Sequence, residues 1–199
     1  MKAKAMWNRS RGPYSWALLR WLVAVVLSAM ASVAVATETL EEIQHIQSDA
    51  YKSLLDLQFS DINSMAARYS GSKARLADGR WKLSFVFFGL MQGLPERDAA
   101  AWDARLALID RWVAETPTDS TPYLAKASFL IAYAWDARGT GYANTVKTAD
   151  WQIFRERISQ ARKVLERSAT ISKKSPLWYE CMQQIATAQS WSEDDFLHL

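Results

Sequence analysis

The segment Ala134-Trp135-Asp136-Ala137-Arg138-Gly139-Thr140-Gly141-Tyr142-Ala143 holds the residue types best suited to chemistry in this chain. Arg138 brings a permanently charged, planar set of donors, and Asp136 a carboxylate two residues away. Trp135 and Tyr142 offer aromatic faces able to wall a groove. A guanidinium beside a carboxylate can bind an anionic group or, where a carboxyl has a raised pKa, serve a hydrolase. The same residues can also close a helix. Gly139 stands where a C-cap needs positive φ, and Arg138 in the last turn complements the helix dipole. Arg138 also lies four residues after Ala134 and seven after Ile131, so it continues an apolar stripe. A guanidinium turned toward the core needs carboxylates or carbonyls, and Asp150, Glu156 and Glu180 are the candidate partners. This pattern favours a structural clamp between neighbouring helices over a ligand-facing arginine. It favours core packing over groove lining for Trp135 and Tyr142.

Other reactive groups are sparse. The two histidines, His45 and His198, belong to no H-x₃-H or Cys/His cluster, so no metal site is expected. There is no G-x-S-x-G and no phosphate loop, and the one G-x-G, Gly139-Thr140-Gly141, follows no strand. Glu41-Glu42 and Glu193-Asp194-Asp195 fall at expected helix starts, where the dipole favours acids. Cys181 is the single cysteine and reads as a small buried residue. No catalytic residue and no cofactor is assigned, and the chain reads as a non-enzyme.

The elements that must position these residues are helical throughout. Thr39-Leu40-Glu41-Glu42 has the form of a capping box, followed by Leu40, Ile43, Ile46, Ala50, Leu54 and Leu57 at helical spacing. A short helix is expected over Asp61 to Tyr69 and a loop over 70–79, punctuated by Gly71 and Gly79. Trp81 to Met91 is apolar nearly all round and is assigned to a buried helix, with Trp81, Phe85 and Phe88 on one side. Pro95 opens a helix through Glu115, striped by Trp102, Leu106, Ile109 and Val113. Thr121-Pro122 caps a helix to about Arg138, and Ser175-Pro176 repeats the device for a helix to about Gln189. Between them Trp151, Phe154, Ile158, Ala161, Leu165 and Ala169 stripe a long helix. Ser192 starts a last, short one. The expectation is an all-α, irregular helical-repeat bundle of about six to seven helices. Pro122, Ala127, Ile131 and Ala134 align with Pro176, Cys181, Ile185 and Ala188 at an offset of 54 residues. Ala161, Leu165 and Ala169 before Pro176 have the small–large–small packing of tetratricopeptide-type helix pairs.

The stretch from Trp135 to Ala143, then Trp151 and Phe154, the A-x₃-L-x₃-A helix, and Pro176-Leu177-Trp178-Tyr179 resemble a family of uncharacterised bacterial proteins. The resemblance covers about Trp81 to Leu199. It implies a tetratricopeptide-like helical domain in which Trp135, Asp136, Arg138, Gly139, Gly141 and Tyr142 match the family motif. It implies no catalytic role for them. Family members tend to continue further, and Phe196 and Leu197 open an apolar face just before Leu199. A chain shortened at its C-terminus is therefore the expectation.

Charge and hydropathy address where the chain works. Its 199 residues are 50% hydrophobic and 23% charged, with a formal net charge of +3. Lys2, Lys4, Arg9, Arg11 and Arg20 all precede the first acid, Glu38, leaving 19 basic and 21 acidic residues in the remainder, a net of −2. Nucleic acid is therefore not an expected partner. The apolar run Trp21 to Val35 spans 15 residues, below the roughly 18 expected of a membrane-spanning helix. Ala34-Val35-Ala36 supplies a small–x–small cleavage site. Residues 1–36 read as a signal peptide and 37–199 as one helical domain, exported to the periplasm or beyond. An uncleaved inner-membrane anchor is the alternative, and no other membrane contact is expected. Seven basic residues between Arg155 and Lys174 read as a solvated face with an Arg162–Glu166 pair, or as a contact for an acidic partner or anionic polymer. The functional expectation is a protein-binding or scaffold module of the bacterial envelope whose partner is another protein. The alternatives are an envelope hydrolase using carboxylates near Arg138, and an inhibitor or immunity protein.

Overall fold

The computed structural model describes Thr37 and residues 39–199. The chain divides into two compact units, Met1–Glu41 and Glu42–Leu199. In the first, Thr37 and residues 39–41 are described and all are helical. Thr39 is thus inside a helical stretch rather than at its N-cap. Glu42 forms an ion pair with Lys82. The signal segment read over residues 1–36 lies outside the described residues.

The second unit is all-α. Helix α1 (residues 42–55) buries Ile43, Ile46, Ala50 and Leu54, which recur at intervals of three and four on one face. Helix α2 (Phe59–Ser72) buries Phe59, Ile62 and Ala66 and is longer than its apolar stripe. Gly71 continues it, and the left-handed turn that ends it falls on Lys73 at φ 51°. Helix α3 (Lys82–Gly89) settles the ambiguous apolar run as helix, but Phe88 is 48% exposed and not in the expected buried row. Its Gly89 lies against α1, where a Cβ would come 2.5 Å from the Gln47 carbonyl oxygen.

Helix α4 (Ala99–Glu115) starts four residues after Pro95. Two local facts delay it. Arg97 has φ 57°, which no right-handed helix accommodates, and the Asp98 carboxylate accepts the Ala101 N–H as N-cap. Pro95 instead offers its carbonyl to the Trp102 indole N–H at 3.0 Å. The buried face of α4 is Trp102, Arg105, Ile109 and Trp112, so Leu106 and Val113 sit at its margin. Arg105 reaches the core because its guanidinium donates to the Leu90 carbonyl at 2.6 Å and lies over the Tyr51 ring. Burial pushes its pKa down.

Helix α5 (Thr121–Arg138) is central: it packs on α4, α6 and α8 and has buried residues from Thr121 to Ala134. Its N-cap is Ser120 rather than Thr121, whose N–H is taken by the Asp119 carboxylate at 2.7 Å. Helix α6 (Thr148–Arg167) buries Phe154, Ile158, Ala161 and Leu165. The short α7 (Ala169–Ser172) leads to α8 (Pro176–Ala188), capped by Ser175, and Ser192 caps the short α9 (Glu193–Leu197). Among the described residues these are seven helices of eight residues or more and two short ones. The matched positions Ala127 and Cys181, and Ile131 and Ile185, are all buried. No described helix is long and apolar enough to cross a membrane.

Candidate functional site

The site is built where α5 stops. Gly139 adopts φ 72° and ψ −177°, a combination open in practice only to glycine, and its N–H donates to the Trp135 carbonyl at 2.9 Å. The chain then turns through Gly141 into a 3₁₀ turn, Ala143–Thr145, before α6 begins. Arg138 folds over this loop. Its Nη1 donates to the carbonyls of Gly139 at 2.9 Å and Gly141 at 3.1 Å. Its Cζ lies 5.4 Å from the Trp135 ring and 5.1 Å from the Trp151 ring, within cation–π reach of both.

Of the two kinds of partner expected for the Arg138 guanidinium, the structure uses carbonyls, and the candidate carboxylates lie elsewhere. Among the described residues no carboxylate pairs with Arg138. Carbonyls at a helix end take up guanidinium N–H groups without a second buried charge, and that is the route used here. Asp150 lies 3.6 Å from Arg97 instead, Glu156 accepts from Gln152, and Glu180 lines a different cleft. Arg138 secures its own loop and touches α6 through Trp151. Core packing for the aromatic pair is corrected. Tyr142 is 85% exposed and lies in the loop, and Trp135 is 45% exposed with its ring set edge-on to Phe154.

Five of the six motif residues meet at one cleft of about 540 Å³: Trp135, Asp136, Arg138, Gly139 and Gly141. Tyr142 stands outside it. The opposite wall comes from Arg97, which the sequence did not disclose. The Arg97 N–H donates to Asp136 Oδ1 at 2.9 Å, and its Nη2 reaches the Ala137 carbonyl at 3.3 Å. A Cβ on Gly139 would come 2.7 Å from that guanidinium. The available signal was the charged step Glu96-Arg97-Asp98 between Pro95 and an apolar helix. The left-handed backbone that aims it is rare for arginine and unreadable from residue type. Glu96, Lys147 and Asp150 complete the charged lining, three cations against three carboxylates.

A smaller cleft of about 160 Å³ shares Arg97, Asp136 and Asp150 and adds Tyr133 and Arg157. Tyr133 is sandwiched: Trp102 stacks on it at 4.9 Å, and the Arg157 guanidinium lies 3.1 Å from its ring centre. Its hydroxyl lies 2.9 Å from Asp103 Oδ1, and burial, reinforced by that carboxylate, pushes its pKa up to about 12. Arg157 is therefore not part of a solvated basic face; it donates to the Tyr133 carbonyl at 2.8 Å. The Arg162–Glu166 pair does form, at 2.7 Å.

Cys181 is buried in α8, remote in sequence from the motif, and burial pushes its thiol up to about 12. Among the described residues no three His, Cys, Asp or Glu side chains gather to hold a metal ion. The molecule is an all-α protein with a polar, tryptophan-edged cleft at the junction of α5 and α6. Set against family models, curated proteins and solved structures, the chain has no match in any of the three.

Proposed function

We propose that this chain is an exported helical-repeat module of the bacterial envelope that binds a segment of another protein in the cleft between Arg97 and Arg138. The observation that carries the reading is the meeting of Trp135, Asp136, Arg138, Gly139 and Gly141 at one cleft of about 540 Å³. That volume falls within the roughly 300–1,000 Å³ of typical ligand sites. Trp135 leaves nearly half its surface open there, and tryptophan and arginine are the residues that most often anchor protein interfaces. Balanced cations and carboxylates suit the alternating charges of a peptide segment rather than a polyanion.

A binding role is favoured over hydrolysis by what the carboxylates already do. Asp136 accepts the Arg97 N–H, and Asp150 lies beside the Arg97 guanidinium. Both carboxylates position Arg97. Export rests on the positively charged N-terminus, the 15-residue apolar run and Ala34-Val35-Ala36. The repeat reading rests on the buried pairs Ala127/Cys181 and Ile131/Ile185, and membership of the uncharacterised family rests on the motif. The test is photo-crosslinking on the full chain in cells. A photoreactive residue at Thr140, on the cleft wall, is expected to give a discrete protein adduct, and one at the exposed Thr170 is not. Equal adducts from both, or none from Thr140, would remove the cleft from the account.

A further inference from the structure

The basic run along α6 continues past its end to Lys173 and Lys174, and the fold brings Lys174 to a lysine 101 residues earlier in the chain. A cleft of about 220 Å³, separate from the motif, is lined by Ser70 and Lys73 at the end of α2 and by Trp81 and Ser84 at the start of α3. Lys174 and Leu177, at the start of α8, close it. Neighbouring cations are engaged: Lys82 pairs with Glu42, Arg80 with Asp78, and Arg75 lies 4.3 Å over the Trp81 ring. Lys73 and Lys174 are not. Among the described residues neither ammonium makes an ion pair, and neither the Ser70 nor the Ser84 hydroxyl makes a hydrogen bond. Two lysines and two serines without a protein partner thus line one small space, in which Glu180 is the carboxylate among the described lining residues and pairs with neither lysine.

We propose that this second cleft binds a phosphoryl group carried on a small stem. The two ammonium groups carry one positive charge more than Glu180 can balance, whereas a phosphoryl group brings about two negative charges and three acceptor oxygens. Lysine serves phosphate as a point charge and needs no fixed fork. Trp81 and Leu177 give the stem an apolar wall. The volume lies below the roughly 300 Å³ lower limit of drug-sized sites, so the ligand is of headgroup size. The shared chemistry is a phosphate ester on a short polyol, either free in solution or at the surface of an anionic lipid.

The test uses the full chain with two probes, glycerol 3-phosphate followed by calorimetry and phosphatidylglycerol vesicles in a phosphatidylcholine background followed by sedimentation. Acetate at matched ionic strength is the control anion. Lys73→Ala and Lys174→Ala are each expected to weaken binding about tenfold, the loss of one charge-assisted contact. Lys163→Ala, an exposed lysine outside the cleft, is expected to leave it unchanged. All three variants are expected to keep the wild-type thermal melt. Binding of glycerol 3-phosphate with that pattern identifies a free ester. Binding to vesicles alone with the same pattern identifies a lipid headgroup. Acetate bound as tightly as phosphate, equal loss from Lys163→Ala, or no binding to either probe would overturn the proposal.

Discussion

The backbone N–H of Arg97 donates to the carboxylate of Asp136 at 2.9 Å, joining two residues 39 apart in sequence. The bond holds Arg97 in a left-handed conformation that its side chain disfavours, and that conformation lays the guanidinium over the end of α5. Asp136→Ala removes the acceptor and frees the strained residue. It is expected to cost about 1–3 kcal/mol and to raise amide exchange at Arg97. Asp136→Asn keeps an acceptor oxygen and should recover most of the loss. Native-state exchange with a denaturant melt checks both. Unchanged Arg97 exchange in Asp136→Ala would show that the bond is not what holds the loop.

Glycine positions separate tight contacts from open ones. Gly89→Ala drives a Cβ to 2.5 Å from the Gln47 carbonyl oxygen, so α1 and α3 must part. A loss of about 1–3 kcal/mol is expected. Gly139→Ala strains a backbone at φ 72° and should lose a similar amount, about 1–3 kcal/mol. Gly71 has nothing within 4 Å and lies in α2, so Gly71→Ala should stabilise by about 0.5–1 kcal/mol. Ser190 sits at φ 54° just beyond α8, where Ser190→Gly should gain about 0.4–1 kcal/mol. Urea melts of the four variants should fall in that order of sign.

Stability should fall on the alkaline side. Tyr133 is pushed from an ordinary value of 10.0 to about 12, and Cys181 from 9.0 to about 12, both mainly by burial. Between those values the unfolded chain releases protons that the folded one retains, so unfolding free energy decreases as pH rises. The contribution is complete below pH 9 and is lost progressively up to about 12. Cys181→Ala should flatten the part of the slope that starts near 9. For the same reason the native Cys181 thiolate fraction at pH 8 should be lower than that of a free thiol by a factor on the order of 10³. A pH titration of the thiolate absorbance in native and denatured protein reads this directly.

Helix type and order were legible because apolar spacing and capping chemistry are local. Pro176, the Ser175 and Ser192 caps, and the stripe from Phe154 to Leu165 all stand where their residue types put them, and Pro122 lies one position further into its helix. What was not legible depends on tertiary partners. Arg97 aims its side chain through a left-handed φ, with its N–H taken by Asp136, and Arg105 enters the core because the Leu90 carbonyl and the Tyr51 ring face it. The position of Arg138 on an apolar stripe pointed inward. Two carbonyls beyond its own helix end, and two tryptophan faces, turned it onto the loop instead. Tyr142 follows Gly141 in a turn, where aromatic character carries no guarantee of burial.

The central claim is that the cleft between Arg97 and Arg138 holds a protein partner, and affinity capture from envelope extract tests it most directly. The full chain is compared with Trp135→Ala and Lys147→Glu, each checked for a wild-type melt. Lys147 is exposed on the cleft wall and makes no ion pair among the described residues, so its reversal changes the cleft's charge without removing a structural contact. The account predicts one specific protein retained by the wild type and lost from both folded variants. A partner retained equally by all three, or no partner retained by the wild type, would contradict it.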